Sequence, residues 1–512
     1  MDRKQCCHYS TIIVVVLLLQ SMIYFINAAE IEDNAFHSRE SVNDTMYLRL
    51  DEAILSALEH NPAVSVQRLQ VSISREEVKA EKAAFYPDLS ASISKSKSEA
   101  ERRVGSLREP VGVTDERNSY SLEVTEFIPT GTRITAGVTM DGAVSSLYSD
   151  QYVGRMGLTV TQALLQGINP TANLASLNQA RLDIELSHAE LNAIAQQVVF
   201  EVERAYWELY LSLQAVRIRQ ESVSLAERQV EETRQRIEVG KLPELELAAA
   251  EAELAARQVA LLDAHNDLGR ARLELTYLLN NPADSGWERF VKPLDEPVIP
   301  NDSIAPLEQH LELGMMYRPD LIQARIELKK GRIEVVRTRN GLLPRLDLFI
   351  NLGGNSYAQS FKDAAPDFGT PYYDINGGLS LTLPTPGGRK AAEHRQTFLT
   401  VRERELLLDN MEQLLERDIR IAYLEVGSAR DRIDATRVVR ELQEANYAAE
   451  LEKFRVGKST NLQVALVQRN LTEAQLEEAR TRVSYLTALA SLYLSEGTLL
   501  ERTGIEPLID PE

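Results

Sequence analysis

Cysteine is almost missing from this chain of 512 residues: Cys6 and Cys7 are the two, and none follows them. Disulfide, thiol and cysteine–metal chemistry are thereby excluded from the rest of the chain. Positive charge is scarce as well. The 56 lysines and arginines face 76 acidic residues, a formal net charge of -20, so the basic face of a nucleic-acid binder is not to be expected. Aromatic residues make up only 6%, which favours long helices over a bulky mixed core. Catalytic motifs are lacking too: no glycine-rich phosphate loop, no His-Glu-x-x-His pattern and no Gly-x-Ser-x-Gly elbow. The histidines beyond His8 (His37, His60, His188, His265, His310 and His394) are scattered without ligand spacing. Paired carboxylates such as Glu231 and Glu232 sit in charged helical runs, where a solvated face explains them. No catalytic residue, metal site or cofactor is expected.

What is present begins with a leader pattern. Arg3 and Lys4 precede an apolar stretch, "TIIVVVLLLQSMIYFI" from Thr11 to Ile26, with small residues Ala28 and Ala29 behind it. The stretch is short for a membrane span of about 20 residues and reads as a secretion signal over 1–29. Both cysteines precede it, so they are no lipid-attachment site after it, and removal of the signal leaves a chain without cysteine.

The remainder is written twice. "LDEAILSALEHNPAVSVQRLQ" from Leu50 is similar to "LEQHLELGMMYRPDLIQARIE" from Leu307. Pro62 pairs with Pro319 and Pro87 with Pro344 at one fixed offset; "RAYWELY" at Arg204 pairs with "IAYLEVG" at Ile421, and Gly240 with Gly457, at a second. The offset drops by about 40 residues between the two sets, which fits one extra β-hairpin in the first copy.

From Thr171 to Val239 there is neither glycine nor proline. As one helix, entered at Pro170, such a run is about 100 Å long. Apolar residues recur every seventh position (Val202, Leu209, Val216, Val223, Val230, Ile237), matched by Ile419, Val426, Ile433, Arg440, Tyr447 and Phe454, the period of a coiled-coil seam. "IEVGKLP" at Ile237 and "FRVGKST" at Phe454 then interrupt the pattern with one glycine each. A C-cap glycine there ends one long helix before its return partner, which Pro243 opens in the first copy and Ser459 or Thr460 caps in the second. The return helix spans about Glu244 to Leu279, and another helix about Leu307 to Leu342. At about 54 Å each, the two are expected to stack end to end beside the long rod.

Between the helical runs the pattern changes to alternation. Tyr120, Leu122 and Val124 oppose Ser121 and Glu123, and Ile134, Ala136, Val138 and Met140 oppose Thr135, Gly137 and Thr139. Met156, Leu158 and Val160 follow suit, as do Leu346, Leu348, Ile350 and Leu352, then Ile375, Leu379, Leu381 and Leu383. One apolar and one small or polar face marks a half-buried strand or a membrane barrel strand. Alternation alone favours an ordinary sheet. The context favours the barrel, because these strands interrupt a helical cylinder and are too few to close alone.

The duplication, the paired hairpins ending in "VGK", and the junctions "LTVTQALLQGINPTANLASLNQAR" and "LSLTLPTPGGRKAAEHR" together resemble the TolC-like outer-membrane efflux family, over about Leu48 to Glu501. The resemblance implies a mainly α fold with a membrane β-barrel part: a homotrimer whose α-helical tunnel in the periplasm continues into a barrel in outer-membrane lipid. It also implies a periplasmic adaptor (membrane fusion) protein and an inner-membrane pump or ABC exporter as partners. The expected division is signal 1–29, N-terminal extension 30–47, first repeat 48–281 (strands about 88–166, hairpin 170–280), equatorial linker 282–306, second repeat 307–496 (strands about 345–384, hairpin 388–496) and tail 497–512. Carried over by position, Val239, Gly240, Lys241, Val456, Gly457 and Lys458 match the tip motif that meets the adaptor, the two lysines being a departure. Glu246, Phe454, Ser459 and Gln463 fall at tunnel-entrance positions. The tyrosine, arginine and aspartate gate of some members is not matched here, and Glu246 reads equally as a solvated first-turn carboxylate.

The inserted hairpin, about Asn118 to Met140, is a second departure. Four strands from the first copy and two from the second give a trimer about 18 strands, against roughly 12 usual for the family. The expected function is therefore a passive exit duct for solutes, powered by partner proteins. A periplasmic coiled-coil scaffold or adaptor without a pore is the alternative; it accounts for the heptads but not for the strands or the duplication.

Overall fold

The computed structural model describes residues 45–102, 111–146, 150–280, 287, 290–300, 304–360, 363–364, 372–385 and 387–505. Two units separate, Met1–Met46 and Tyr47–Glu512. The expected signal and the extension up to residue 44 lie outside the described residues. In chain order the elements are β1 (Thr45–Leu48), α1 (Leu50–His60), α2 (Pro62–Ala83), β2 (Asp88–Arg102), β3 (Val111–Ile128), β4 (Thr132–Ser145), β5 (Gln151–Ala163), α3 (Pro170–Asn173), α4 (Ala175–Glu238), α5 (Leu245–Leu279), β6 (Phe290–Pro293), α6 (Leu307–Tyr317), α7 (Pro319–Asn340), β7 (Arg345–Ala358), β8 (Tyr373–Thr382), α8 (Arg389–Arg455), α9 (Asn461–Glu496) and α10 (Leu499–Arg502).

Proline punctuates both repeats alike. A residue before proline is driven out of the helical region into extended backbone. Asn61 sits at φ -65, ψ 127, and Arg318 at φ -62, ψ 119. Each repeat therefore opens with an 11-residue helix, α1 or α6, followed by a 22-residue helix, α2 or α7. This corrects the expectation of one helix over Leu307–Leu342, which ignored Pro319. The run expected from Pro170 also breaks once: α3 stops at Asn173, and the 64-residue rod α4 begins at Ala175.

The rods form a row. α4 lies in the middle, with α2 and α5 along one flank and α7 and α9 along the other. α8 closes the row against α7 and α9. The half-length rods stack within their own repeats, which corrects the expected stacking of the first return helix on the second repeat. The Asn61 side chain donates to the Leu278 carbonyl (3.3 Å) and Asn280 to the His60 carbonyl (3.1 Å), joining the end of α5 to the α1–α2 break. At the equivalent place Gly497 ends α9 on the α6–α7 break with φ +78, and a Cβ there would lie 2.7 Å from the Tyr317 carbonyl oxygen. Only glycine suits both that backbone and that approach. His310 is buried beside it, 2.5 Å from Glu496.

The seven-residue repeat is the buried seam. Val202 and Leu209 on α4 are fully enclosed, and Ile419 and Val426, enclosed likewise, join Leu321, Leu415, Tyr485 and Leu492 in a core where α7, α8 and α9 meet. Arg440 is a polar interruption of the seam, between Ile433 and Tyr447, and is bonded to Glu478 and Glu444.

All six long strands form one antiparallel sheet in the order β2-β3-β4-β5-β7-β8, while β1 and β6 pair separately. The first repeat contributes four strands and the second two. The sheet is open: within one chain β2 and β8 remain edges, so the expected barrel is not closed by a single copy. No helix among the described residues is long and apolar enough to cross a membrane.

Candidate functional site: hairpin tips and a two-faced sheet

The two helical tips are built alike. At the first, the Gly240 N–H donates to the Ile237 carbonyl (2.9 Å) and the Lys241 N–H to the Arg236 carbonyl (2.8 Å). At the second, Gly457 donates to Phe454 (3.1 Å) and Lys458 to Lys453 (2.8 Å). These bonds define a Schellman cap, which satisfies the last carbonyls of a helix and requires a left-handed residue. Gly240 has φ +73 and Gly457 φ +76, and an added Cβ would meet nothing within 4 Å at either. The glycines are thus required by backbone conformation, not by space. Val239 and Val456 are each 67% exposed, and both lysines are exposed, so each tip presents an apolar residue and a cation to solvent.

The return helices start differently. Thr460 caps α9 by accepting from the Gln463 N–H at 3.3 Å. Ser459 does not cap; its hydroxyl donates to Glu450. That bond, with the Lys453 ammonium at 2.9 Å, holds the Glu450 carboxyl below the usual carboxylate range. Pro243 precedes α5 by two residues instead of opening it, and its carbonyl accepts from the Glu246 N–H. Glu246 is half-buried in the first turn, and Gln463 is exposed.

Phe454 is 2% exposed because the other hairpin covers it. The Arg236 guanidinium lies 4.3 Å from its ring centre and donates to its carbonyl at 3.3 Å. Behind this contact, Asn461 accepts from Gln229 and donates to Thr233. Arg257 donates to Ser222 and to the Ala465 carbonyl, while Arg469 pairs with Glu253. Burial pushes the Arg257 guanidinium down, opposed by the neighbouring Glu253 carboxylate. The structure therefore brings Phe454 together with Arg236, and Ser459 with Glu450. Among the described residues, the side chains of Glu246 and Gln463 make no hydrogen bond or ion pair. The cross-hairpin residues Arg236, Asn461, Thr233 and Arg257 escaped sequence reasoning, because partners more than 200 residues apart leave no local spacing.

The sheet has two chemically distinct faces. Its register places Leu89, Val124, Ala136, Leu158, Leu352 and Ile375 in one row across six strands, with Ala91, Leu122, Val138, Met156 and Tyr373 in the next. The opposite face carries Ser92, Ser121, Thr139, Arg155 and Asp374, with glycines 137, 157 and 353 between. There Arg155 bonds Asp374 at 2.8 Å, and Asn355 bonds the other carboxylate oxygen. The apolar face is open: Leu122 is 51% and Ile375 68% exposed.

Comparison with known proteins agrees with this architecture. The family described as outer membrane efflux protein matches residues 53–281 and 316–498. The pyoverdine export outer membrane protein OpmQ of Pseudomonas putida is 26% identical over 345 residues, covering 63% of this chain and 65% of its own length. The outer membrane protein TolC of Escherichia coli is 22% identical over 357 residues, covering 66% and 71%. Among solved structures, the outer-membrane channel OprN superposes with a TM-score of 0.68 at 17% identity, over 91% of this chain and 97% of that one. CusC superposes with 0.66 at 14% identity, over 90% and 98%. With the family matched over most of its length in two blocks, one per repeat, this chain belongs to the outer membrane efflux proteins.

Proposed function

We propose that three copies of this chain stand side by side to form a duct that carries solutes out through the outer membrane. The observation that carries this reading is the agreement between the free edges of the two layers. β2 follows α2 and β8 leads into α8, so the open edges of the sheet continue the open ends of the helical row. At one end, Leu399, Leu406, Leu424 and Leu442 fall on one face of α8 and are 66%, 54%, 70% and 66% exposed. At the other, Val66, Leu69 and Ile73 line α2, and Val259, Leu262 and Tyr277 line α5, all about half or more exposed. A ring of copies covers both stripes and both strand edges in one step. It also turns the apolar sheet face to lipid and the serine, threonine and glycine face to water.

The tips then form the inner end. Val239, Gly240, Lys241, Val456, Gly457 and Lys458 are the surface for a periplasmic adaptor, through which an inner-membrane pump or ABC exporter supplies energy. The contact of Arg236 with Phe454 holds the two tips together; Glu246, Ser459 and Gln463 lie at the entrance. Opening requires the second tip to leave the first. Relatives are named for export of pyoverdine and secretion of alkaline protease, and such a range of cargo fits a duct without a dedicated solute pocket.

Heat-modifiable trimers in outer-membrane fractions, conducting in planar bilayers, are the expected result. Soluble, non-conducting protein supports the scaffold instead. Gly240→Val with Gly457→Val, which strains each cap by about 1–2 kcal/mol, abolishes efflux in cells while trimers persist. Unchanged efflux with both substitutions overturns the docking role of the tips.

A further inference from the structure

The β3–β4 hairpin has a geometric consequence for the width of the duct. Each chain contributes four rod positions and six strands. Packed helix axes lie about 8–10 Å apart, so four rods occupy about 32–40 Å of wall. Strands about 4.8 Å apart and tilted by about 40° give six strands a perimeter of about 38 Å. Four strands would cover only about 25 Å by the same geometry. With the hairpin in the wall, the two layers have the same perimeter per chain.

We propose that β3 and β4 are wall strands, so that the assembled barrel has eighteen strands and is as wide as the helical tunnel beneath it. This rests on the trimeric reading above. Three copies give about 36 Å between opposite backbones. The hairpin carries the faces a wall requires. Leu122 pairs with Val138, and Val138 with Met156, in one unbroken apolar row, while Ser121 and Thr139 continue the polar face. Folded outward into water, the hairpin would expose that row to solvent. Folded inward as a plug, it would break ladders that run along β2–β3 and β4–β5. The polar face adds little bulk to the lumen, being mostly Ser, Thr, Asn and Gly near the apolar rows.

Electron cryomicroscopy of the full-length protein in lipid nanodiscs tests this by counting strands. Eighteen in the wall are expected. A trimer with twelve wall strands and the hairpin outside overturns the inference but leaves the duct intact, whereas the absence of any trimer overturns the duct itself. A second measurement uses single cysteines with Cys6→Ser and Cys7→Ser as background. Glu123→Cys and Thr139→Cys are expected to react with a membrane-impermeant maleimide in intact membranes, and Leu122→Cys and Val138→Cys to lose that labelling. Equal labelling of all four overturns the wall placement.

Discussion

At the scale of single residues, the tips divide their work between conformation and adhesion. Gly240 and Gly457 supply a backbone that a side chain would strain, with open space around both. Phe454 and Arg236 supply adhesion between hairpins that no helix cap provides. A cation over a shielded ring contributes about 0.5–2 kcal/mol. Arg236→Ala and Phe454→Ala are each expected to raise the open-state conductance frequency of purified trimers, and the double variant to add little beyond either. Additive effects in that cycle would show that the two residues act separately. Glu203 gives a pH prediction. Burial pushes its carboxyl up to about 7, so the folded chain keeps a proton that the unfolded chain releases near 4.5. Its stabilising contribution is complete below that lower value and is lost as pH rises through about 7. Glu203→Gln is expected to flatten the fall in melting temperature between pH 5 and 8, worth on the order of 1–3 kcal/mol; an unchanged slope rejects the assignment.

At the scale of elements, the two repeats show how far local rules reach. The 11- and 22-residue helices recur with identical lengths because each repeat carries Xaa-Pro at the same place. The alternating stretches became strands in register, and the seven-residue repeat became the buried seam. The stacking of half-rods was misread, because length alone matches α5 to either repeat; hydrogen bonds at Asn61 and the close approach of Gly497 decide it. Gly497→Ala places a side chain on the Tyr317 carbonyl in left-handed backbone. A loss on the order of 2–4 kcal/mol is expected, read as a lower melting temperature, while Gly427→Ala, inside α8 with nothing within 4 Å of the added carbon, serves as the control and is expected to stabilise by about 0.5–1 kcal/mol.

At the scale of the whole molecule, the single chain is unfinished: apolar stripes end the helical row on both sides, and both sheet edges are open. Leu424→Glu with Leu442→Glu puts two charges on the α8 stripe, and loss of heat-modifiable trimers with retained helical circular dichroism is the expected outcome. Trimers in normal yield would place the subunit contact elsewhere. In the proposed ring the sheet adds a second constraint, since an apolar face in lipid leaves no strand edge unpaired only if the neighbouring copy continues the ladder.

Sequence by itself determined the duplication, the helix and strand types, the position of both tip glycines and the six-strand content, because each rests on periodicity, a fixed offset or a φ preference within a few residues. Tertiary structure alone decided which rod lies beside which, that Arg236 covers Phe454, and that Ser459 serves Glu450 instead of capping a helix. Those outcomes depend on pairs brought together by packing, and a linear pattern carries no record of distance across a fold.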